Sequence, residues 1–98
     1  AGTARRSGRG LSMDIAGSRY FIIPEDIPPL LFHRSVEIVD PAGEHEGTAW
    51  LSPIIGPKKH ELNALIQQNL YVIGYRDLNR VLAGEALMAP VKEYHPCS

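Results

Sequence analysis

Residues 56–84 have the sequence GPKKHELNALIQQNLYVIGYRDLNRVLAG, and the expected fold class depends on them. The first half of this stretch places leucine and isoleucine at the three- and four-residue spacing of an amphipathic helix, and Pro57 suits a first helical position because its missing N–H has no helical partner there. Residues 76–83 return to that spacing and precede a glycine, which favours a helix C-terminus. We therefore predict helices over residues 57–68 and 76–83.

Residues 70–75, LYVIGY, connect the two predicted helices and are open to two interpretations. Tyrosine, valine and isoleucine favour a strand, and Gly74 is unfavourable inside a helix. The segment is therefore either a central strand or a bend between two helices, and we favour the strand.

Shorter apolar runs outside this stretch also predict strands. Residues 19–23 (RYFII) are β-branched and aromatic and end at a proline, and residues 35–39 alternate in polarity before the turn sequence DPAG. Strands are predicted over residues 19–23, 35–39, 48–51, 70–74 and 86–91. The expected fold class is α+β, with a small antiparallel sheet of four to five strands and two helices packed on one face.

The length of 98 residues predicts one domain, and the hydrophobic content of 44% is too high for a disordered chain. We assign this domain to residues 13–98. Residues 1–12 are rich in glycine, serine and arginine and are predicted to be a flexible basic tail, either a remnant of cloning or upstream translation, or a native basic arm.

The cysteine content and the hydropathy bear on the compartment. Cys97 is the single cysteine, so a disulfide within the chain is excluded. No apolar run approaches the roughly 18 residues of a membrane-spanning helix, and the N-terminus lacks the apolar segment of a signal peptide. We expect a cytoplasmic protein with no membrane partner.

Charge is unevenly distributed along the chain. Residues 25–46 contain six acidic side chains and one arginine, whereas residues 57–80 contain four basic and two acidic side chains. Segregated charge favours oriented docking of a partner. We therefore predict an acidic contact loop around Glu44 and Glu46, together with a basic helical face. The residues of the basic face are Lys58, Lys59, Arg76 and Arg80.

Motifs of known catalytic chemistry are absent from the sequence. Residues 56–58, GPK, lack the upstream glycine and the following serine or threonine of a phosphate-binding loop, and no G-x-S-x-G motif occurs. Residues 44–46, EHE, contain three potential metal ligands, but a charged hairpin loop explains them without a metal. We expect no enzymatic activity, no cofactor and no metal site.

Residues 72–84, VIGYRDLNRVLAG, resemble the turn and recognition helix of helix-turn-helix repressors. In that family the recognition helix lies in the major groove of DNA. The resemblance implies that Tyr75, Arg76 and Asn79 face DNA. The alternative interpretation is an amphipathic helix that ends at a glycine.

These observations favour a non-enzymatic protein-interaction module, such as a small accessory, inhibitor or regulatory protein. Its partner is expected to be another protein or a second copy of the chain, docked through an exposed strand edge. The alternative hypothesis is a nucleic-acid-binding protein that uses residues 72–84 together with Arg5, Arg6 and Arg9 of the N-terminal tail.

Overall fold

A computed structural model of the chain describes residues 2–53 and 60–94. In this part of the chain, eight antiparallel strands pair in sequence order, and the first strand also pairs with the last, so that the sheet closes into a barrel. The strands are β1 (Gly2–Ser7), β2 (Gly10–Ile15), β3 (Ser18–Ile22), β4 (Val36–Val39), β5 (His45–Pro53), β6 (His60–Ile66), β7 (Asn69–Ile73) and β8 (Ala89–Tyr94).

Helical segments lie in two of the connections between strands. A short 3-10 helix (Pro24–Asp26) and helix α1 (Ile27–Leu31) connect β3 to β4, and helix α2 (Tyr75–Leu82) connects β7 to β8. Because the strands alternate in direction, both connections lie at the same end of the barrel. Leu30 of α1 and Leu78 and Val81 of α2 are buried and complete the core at that end.

The core fills the inside of the barrel, because alternate side chains of each strand point inward. Several inward positions carry alanine, which leaves space for larger neighbours. Ala4 lies opposite Met13 on one side and Ala89 on the other, and Ala49 lies opposite Ala64. The largest fully buried side chains are Leu11, Met13, Ile22, Leu30, Ile38, Leu62, Ile73, Val81 and Val91.

The predicted α+β fold is wrong, because the described chain is an eight-stranded closed barrel. The main error is the helix predicted over residues 57–68. Residues 60–66 are strand β6, which is paired with β5 and β7, and residues 57–59 lie outside the described residues. Leu62, Ala64 and Ile66 point inward at a spacing of two, and pairing with strands on both sides outweighs the local preference for helix.

The flexible tail predicted over residues 1–12 is also wrong for the residues that the structure describes. Residues 2–7 form β1, and β2 begins at residue 10. Ala4 is buried between β2 and β8. A segment rich in glycine and arginine forms a strand here because its partners on both sides provide the backbone hydrogen bonds.

Other predicted elements are confirmed. The strands predicted from residues 19–23, 35–39, 48–51 and 70–74 correspond to β3, β4, β5 and β7, and the helix predicted over residues 76–83 is α2. The strand predicted over residues 86–91 coincides with β8 in residues 89–91 alone. The strand interpretation of residues 70–75 is correct for residues 70–73. The exposed strand edge expected for self-association is not found in the described part of the chain, since the barrel is closed.

None of the described helices combines the length and the apolar character needed to cross a lipid bilayer.

Substitution of Gly47 tests how closely β5 and β6 approach each other. A Cβ atom at this position would meet the backbone carbonyl oxygen of Leu65, whereas a Cβ atom at Gly74, before α2, has its nearest neighbour at 3.9 Å. Gly47→Ala is therefore expected to lower the free energy of unfolding by about 1–3 kcal/mol, and Gly74→Ala by less than about 1 kcal/mol. Urea denaturation measures both, and equal losses would contradict the crowding at Gly47.

Candidate interaction surface

Two adjacent rows of outward-facing side chains cross strands β5 to β8. The first row contains Thr48, Leu65, Leu70 and Tyr94, and the second contains Trp50, Asn63, Val72 and Lys92. The outer face of a barrel with a filled core is normally polar, because apolar side chains on it gain nothing from the core. Here five of these eight side chains are apolar or aromatic.

We call these five residues the outer apolar face: Trp50, Leu65, Leu70, Val72 and Tyr94. Leu65 is 43% exposed and Tyr94 is 52% exposed. Trp50, Leu70 and Val72 are half-buried by their neighbours. A contiguous apolar area on the surface of a small domain typically marks a contact site.

A groove of about 450 Å³ runs along this face. Leu70, Val72 and Tyr94 line its apolar part. Its charged lining consists of Glu61 on β6 and Lys92 and Glu93 on β8. The groove therefore combines apolar contact with charges of both signs.

Asn63 holds the central strands of this face in place. Its side-chain amide donates a hydrogen bond of 2.8 Å to the Ser52 hydroxyl oxygen. It also lies 3.4 Å from the Trp50 carbonyl oxygen and 3.3 Å from the Glu61 carbonyl oxygen, both of which accept. These contacts pair the buried amide nitrogen and connect β5 to β6 on this face.

The structure separates the contact residues that the sequence suggested. Glu44 lies in the loop before β5, and Glu46 lies near the beginning of β5. The Glu46 carboxylate accepts a hydrogen bond of 3.4 Å from Gln67 in the turn before β7. The four helical candidates, Tyr75, Arg76, Asn79 and Arg80, lie on α2, which follows the opposite end of β7. Lys58 and Lys59 lie outside the described residues.

In both of the predicted contact surfaces, the acidic loop and α2, side chains already interact within their own segment. In the acidic loop, the Asp40 carboxylate accepts hydrogen bonds of 2.9 Å from the backbone N–H groups of Ala42 and Glu44, which holds the loop in one conformation. On α2, the Arg76 guanidinium lies 5.8 Å from the centre of the Tyr75 ring and donates a hydrogen bond of 3.2 Å to its hydroxyl. Arg76 is thus already engaged within its own helix.

The resemblance to helix-turn-helix repressors is not supported by the structure. That motif needs two helices joined by a short turn, but the element before α2 is strand β7. Residues 72–73 belong to the sheet, so α2 cannot be presented to a DNA groove by a preceding helix. The alternative interpretation, an amphipathic helix, describes α2, which buries Leu78 and Val81.

The arginines assigned to the tail instead lie on the hairpin that joins β1 and β2. Within the described residues, Arg5, Arg6 and Arg9 form no ion pair, and Arg6 donates a hydrogen bond of 3.0 Å from Nε to the Gly8 carbonyl oxygen. This hairpin is a basic surface at the same end of the barrel as α2, and β1 packs against that helix.

Metal-ligating side chains do not converge in residues 2–53 and 60–94. No group of three or more histidine, cysteine, aspartate or glutamate residues there could hold a metal ion. His45 instead lies 3.4 Å from the Glu37 carboxylate across the β4–β5 pair.

The outer apolar face was missed by the sequence analysis, although one signal pointed to it. Residues 70–73, LYVI, form an unbroken apolar run in which successive side chains point to opposite faces of the sheet. Such a run predicts a strand that is covered on both sides. The sequence did not show that β6 and β8 pair with this strand and that β5 follows next to β6.

Comparisons of this chain with models of known protein families, with curated proteins and with solved structures found no match.

Tyr71 points into the barrel beneath this face and is buried. Burial raises the pKa of Tyr71 above its ordinary value of 10.0, and the charges of Glu93 and Tyr20 raise it further, whereas a hydrogen bond with the Asn69 side chain lowers it. The folded protein therefore retains the phenolic proton more strongly than the unfolded chain does.

This difference predicts a loss of stability in alkali. The contribution of Tyr71 is complete below the unfolded-state pKa of about 10 and is lost as the pH rises through the higher folded-state pKa. The free energy of unfolding should fall above pH 10 more steeply for the native protein than for Tyr71→Phe. Denaturant titrations from pH 8 to 11 test this, and parallel curves would contradict it.

Proposed function

We propose that this protein is a non-enzymatic interaction module that binds another protein through its outer apolar face. The observation that carries this proposal is the cluster of five apolar side chains on the outside of four neighbouring strands, with Leu65 and Tyr94 about half exposed. These side chains have no role in the core, which is filled from the opposite face of the same strands. An accessory, inhibitory or regulatory role fits a small domain of this kind.

The composition of the face favours a protein partner. Tryptophan and tyrosine contribute strongly at the centres of protein interfaces because they bury a large area with few rotatable bonds. Removing a fully exposed aliphatic or aromatic side chain from water contributes about 1.5–3 kcal/mol, and a half-exposed one about half of that. When a partner covers Leu65, Tyr94 and their neighbours, the burial free energies of several side chains therefore add to the stability of the complex.

The charges around the groove argue against a nucleic-acid ligand at this face. Glu61 and Glu93 flank it, with Lys92 as the cation. Binding of a phosphate backbone requires a surplus of positive charge. A protein with an apolar contact area and a mixed rim matches this surface better.

The proposed compartment is the cytoplasm. The chain has one cysteine, Cys97, and therefore does not depend on an internal disulfide. A protein-interaction role in a reducing compartment agrees with that composition.

Site-specific photo-cross-linking tests the proposed face. Benzoylphenylalanine replaces Tyr94 in one variant and Phe32, which is 78% exposed on the turn after α1, in the control. Both changes exchange one exposed aromatic side chain for another, so they should preserve the fold equally.

Irradiation in the producing cells is expected to yield a specific protein adduct from position 94 and none from position 32. Adding Leu65→Asp to the position-94 variant should reduce the adduct by about tenfold or more, because it places an unpaired charge in the contact area. Equal adducts from both positions, or none from position 94, would exclude this face as the binding surface.

A second candidate function is contact with a nucleic-acid backbone through the β1–β2 hairpin. The observation that favours it is that Arg5, Arg6 and Arg9 share this hairpin without an ion pair in the described part of the chain. Unpaired guanidinium groups bind phosphates well.

Salt-dependent gel retardation tests this second function. Arg5→Ala and Arg9→Ala should each reduce the slope of log affinity against log salt by about 0.9 on duplex DNA, since each removes one phosphate contact. Arg19→Ala is the control, because Arg19 pairs with Asp14 at 2.9 Å. Native protein that retards neither DNA nor RNA at low salt would exclude the function.

A further inference from the structure

We infer that the partner covering the outer apolar face is a second copy of this chain, bound in a two-fold symmetric dimer in which Lys92 of each copy pairs with Glu61 of the other. This inference rests on the proposed function, because it identifies the protein bound at the same face.

The first argument is the distribution of charge. Lys92 lies on β8 and Glu61 lies on β6, so the two charges flank Val72 on the intervening strand β7. A two-fold interface brings each patch against the same patch of the other copy, so residue i meets residue j and residue j meets residue i. A face with a cation on one side and an acid on the other is therefore complementary to itself.

The second argument is that both charges are available. Within the described residues, neither the Lys92 ammonium group nor the Glu61 carboxylate forms an ion pair. The Glu61 backbone is held through its carbonyl oxygen by Asn63, which fixes the position of this residue on β6. Neither charge therefore has to break an ion pair with another described residue before it pairs with a second copy.

The third argument is that a closed barrel has no free strand edge, so two copies associate through the outer faces of their sheets. Each described strand has a neighbour on both sides, so a second copy cannot extend the sheet through a free edge. The contact between copies must then come from side chains, and the outer apolar face offers them on four adjacent strands.

A comparison with another exposed apolar surface supports the choice of face. Leu87 and Met88, in the loop after α2, are 89% and 58% exposed, and they share a cavity with Arg5 and Arg6. Two copies meeting at that surface in two-fold symmetry would bring like charges together. The outer apolar face instead carries charges of both signs, Lys92 with Glu61 and Glu93, so that the lysine of each copy can meet an acid of the other.

Sedimentation velocity on the purified full chain tests the inference. The native protein is expected to be a dimer whose dissociation follows mass action on dilution. Leu65→Asp should yield a monomer, and Leu87→Asp, the matched control on the other apolar surface, should remain dimeric. Circular dichroism and urea denaturation establish that each variant is folded.

A charge exchange separates a true contact from a general loss of structure. Lys92→Glu should weaken the dimer by about tenfold or more, because it places like charges opposite each other. Combining Lys92→Glu with Glu61→Lys should restore native affinity, since the pair is recreated in reverse. A double variant no tighter than Lys92→Glu would overturn the proposed pairing.

Failure of this inference is distinguishable from failure of the proposed function. A native protein that is monomeric at all concentrations, or a dimer unaffected by Leu65→Asp, overturns the two-fold dimer. If position 94 still cross-links to a different protein, the outer apolar face remains a binding surface for that partner. If position 94 yields no adduct at all, both proposals are overturned.

Discussion

Pairing of β1 with β8 is the constraint on which the rest of this structure depends. Gly2, Thr3 and Ala4 lie opposite Val91, Pro90 and Ala89, and these pairs close the sheet. Closure gives every strand two neighbours and defines an inside, which the alternating apolar side chains fill. Without it, β1 and β8 would both be edge strands, which are prone to pair with other chains.

Closure also explains why apolar side chains on the outside are informative. The core is complete with inward residues from the strands and with the buried side chains of α1 and α2. Trp50, Leu65 and Tyr94 therefore contribute little to the interior, and their position in adjacent rows follows from the register of β5 to β8. Exposed side chains of this size are costly to keep in water, and covering them with another surface would remove that cost.

The charges on two apolar surfaces of the barrel favour different kinds of ligand. The groove on the outer apolar face has acids and one lysine, whereas the surface around Leu87 and Met88 has Arg5 and Arg6. The first combination suits a protein surface of mixed charge, and the second suits an anion. The acidic loop and α2 lie at opposite ends of β7 and do not form one site.

Local sequence was sufficient to predict β3, β4, β5, β7, the first half of β8 and α2, because strand propensity and helical spacing act over a few residues. It was insufficient for β2, whose residues were divided between the expected tail and the start of the domain, and for β1 and β6. Residues 2–7 have no apolar run, and residues 60–66 have a helical spacing of leucine and isoleucine that hides the alternation through Ala64. Both segments are strands because they pair with other strands on both sides: β1 with β2 and β8, and β6 with β5 and β7. The outer apolar face depends on the same non-local register, since four strands must lie side by side before Trp50, Leu65 and Tyr94 can form one surface.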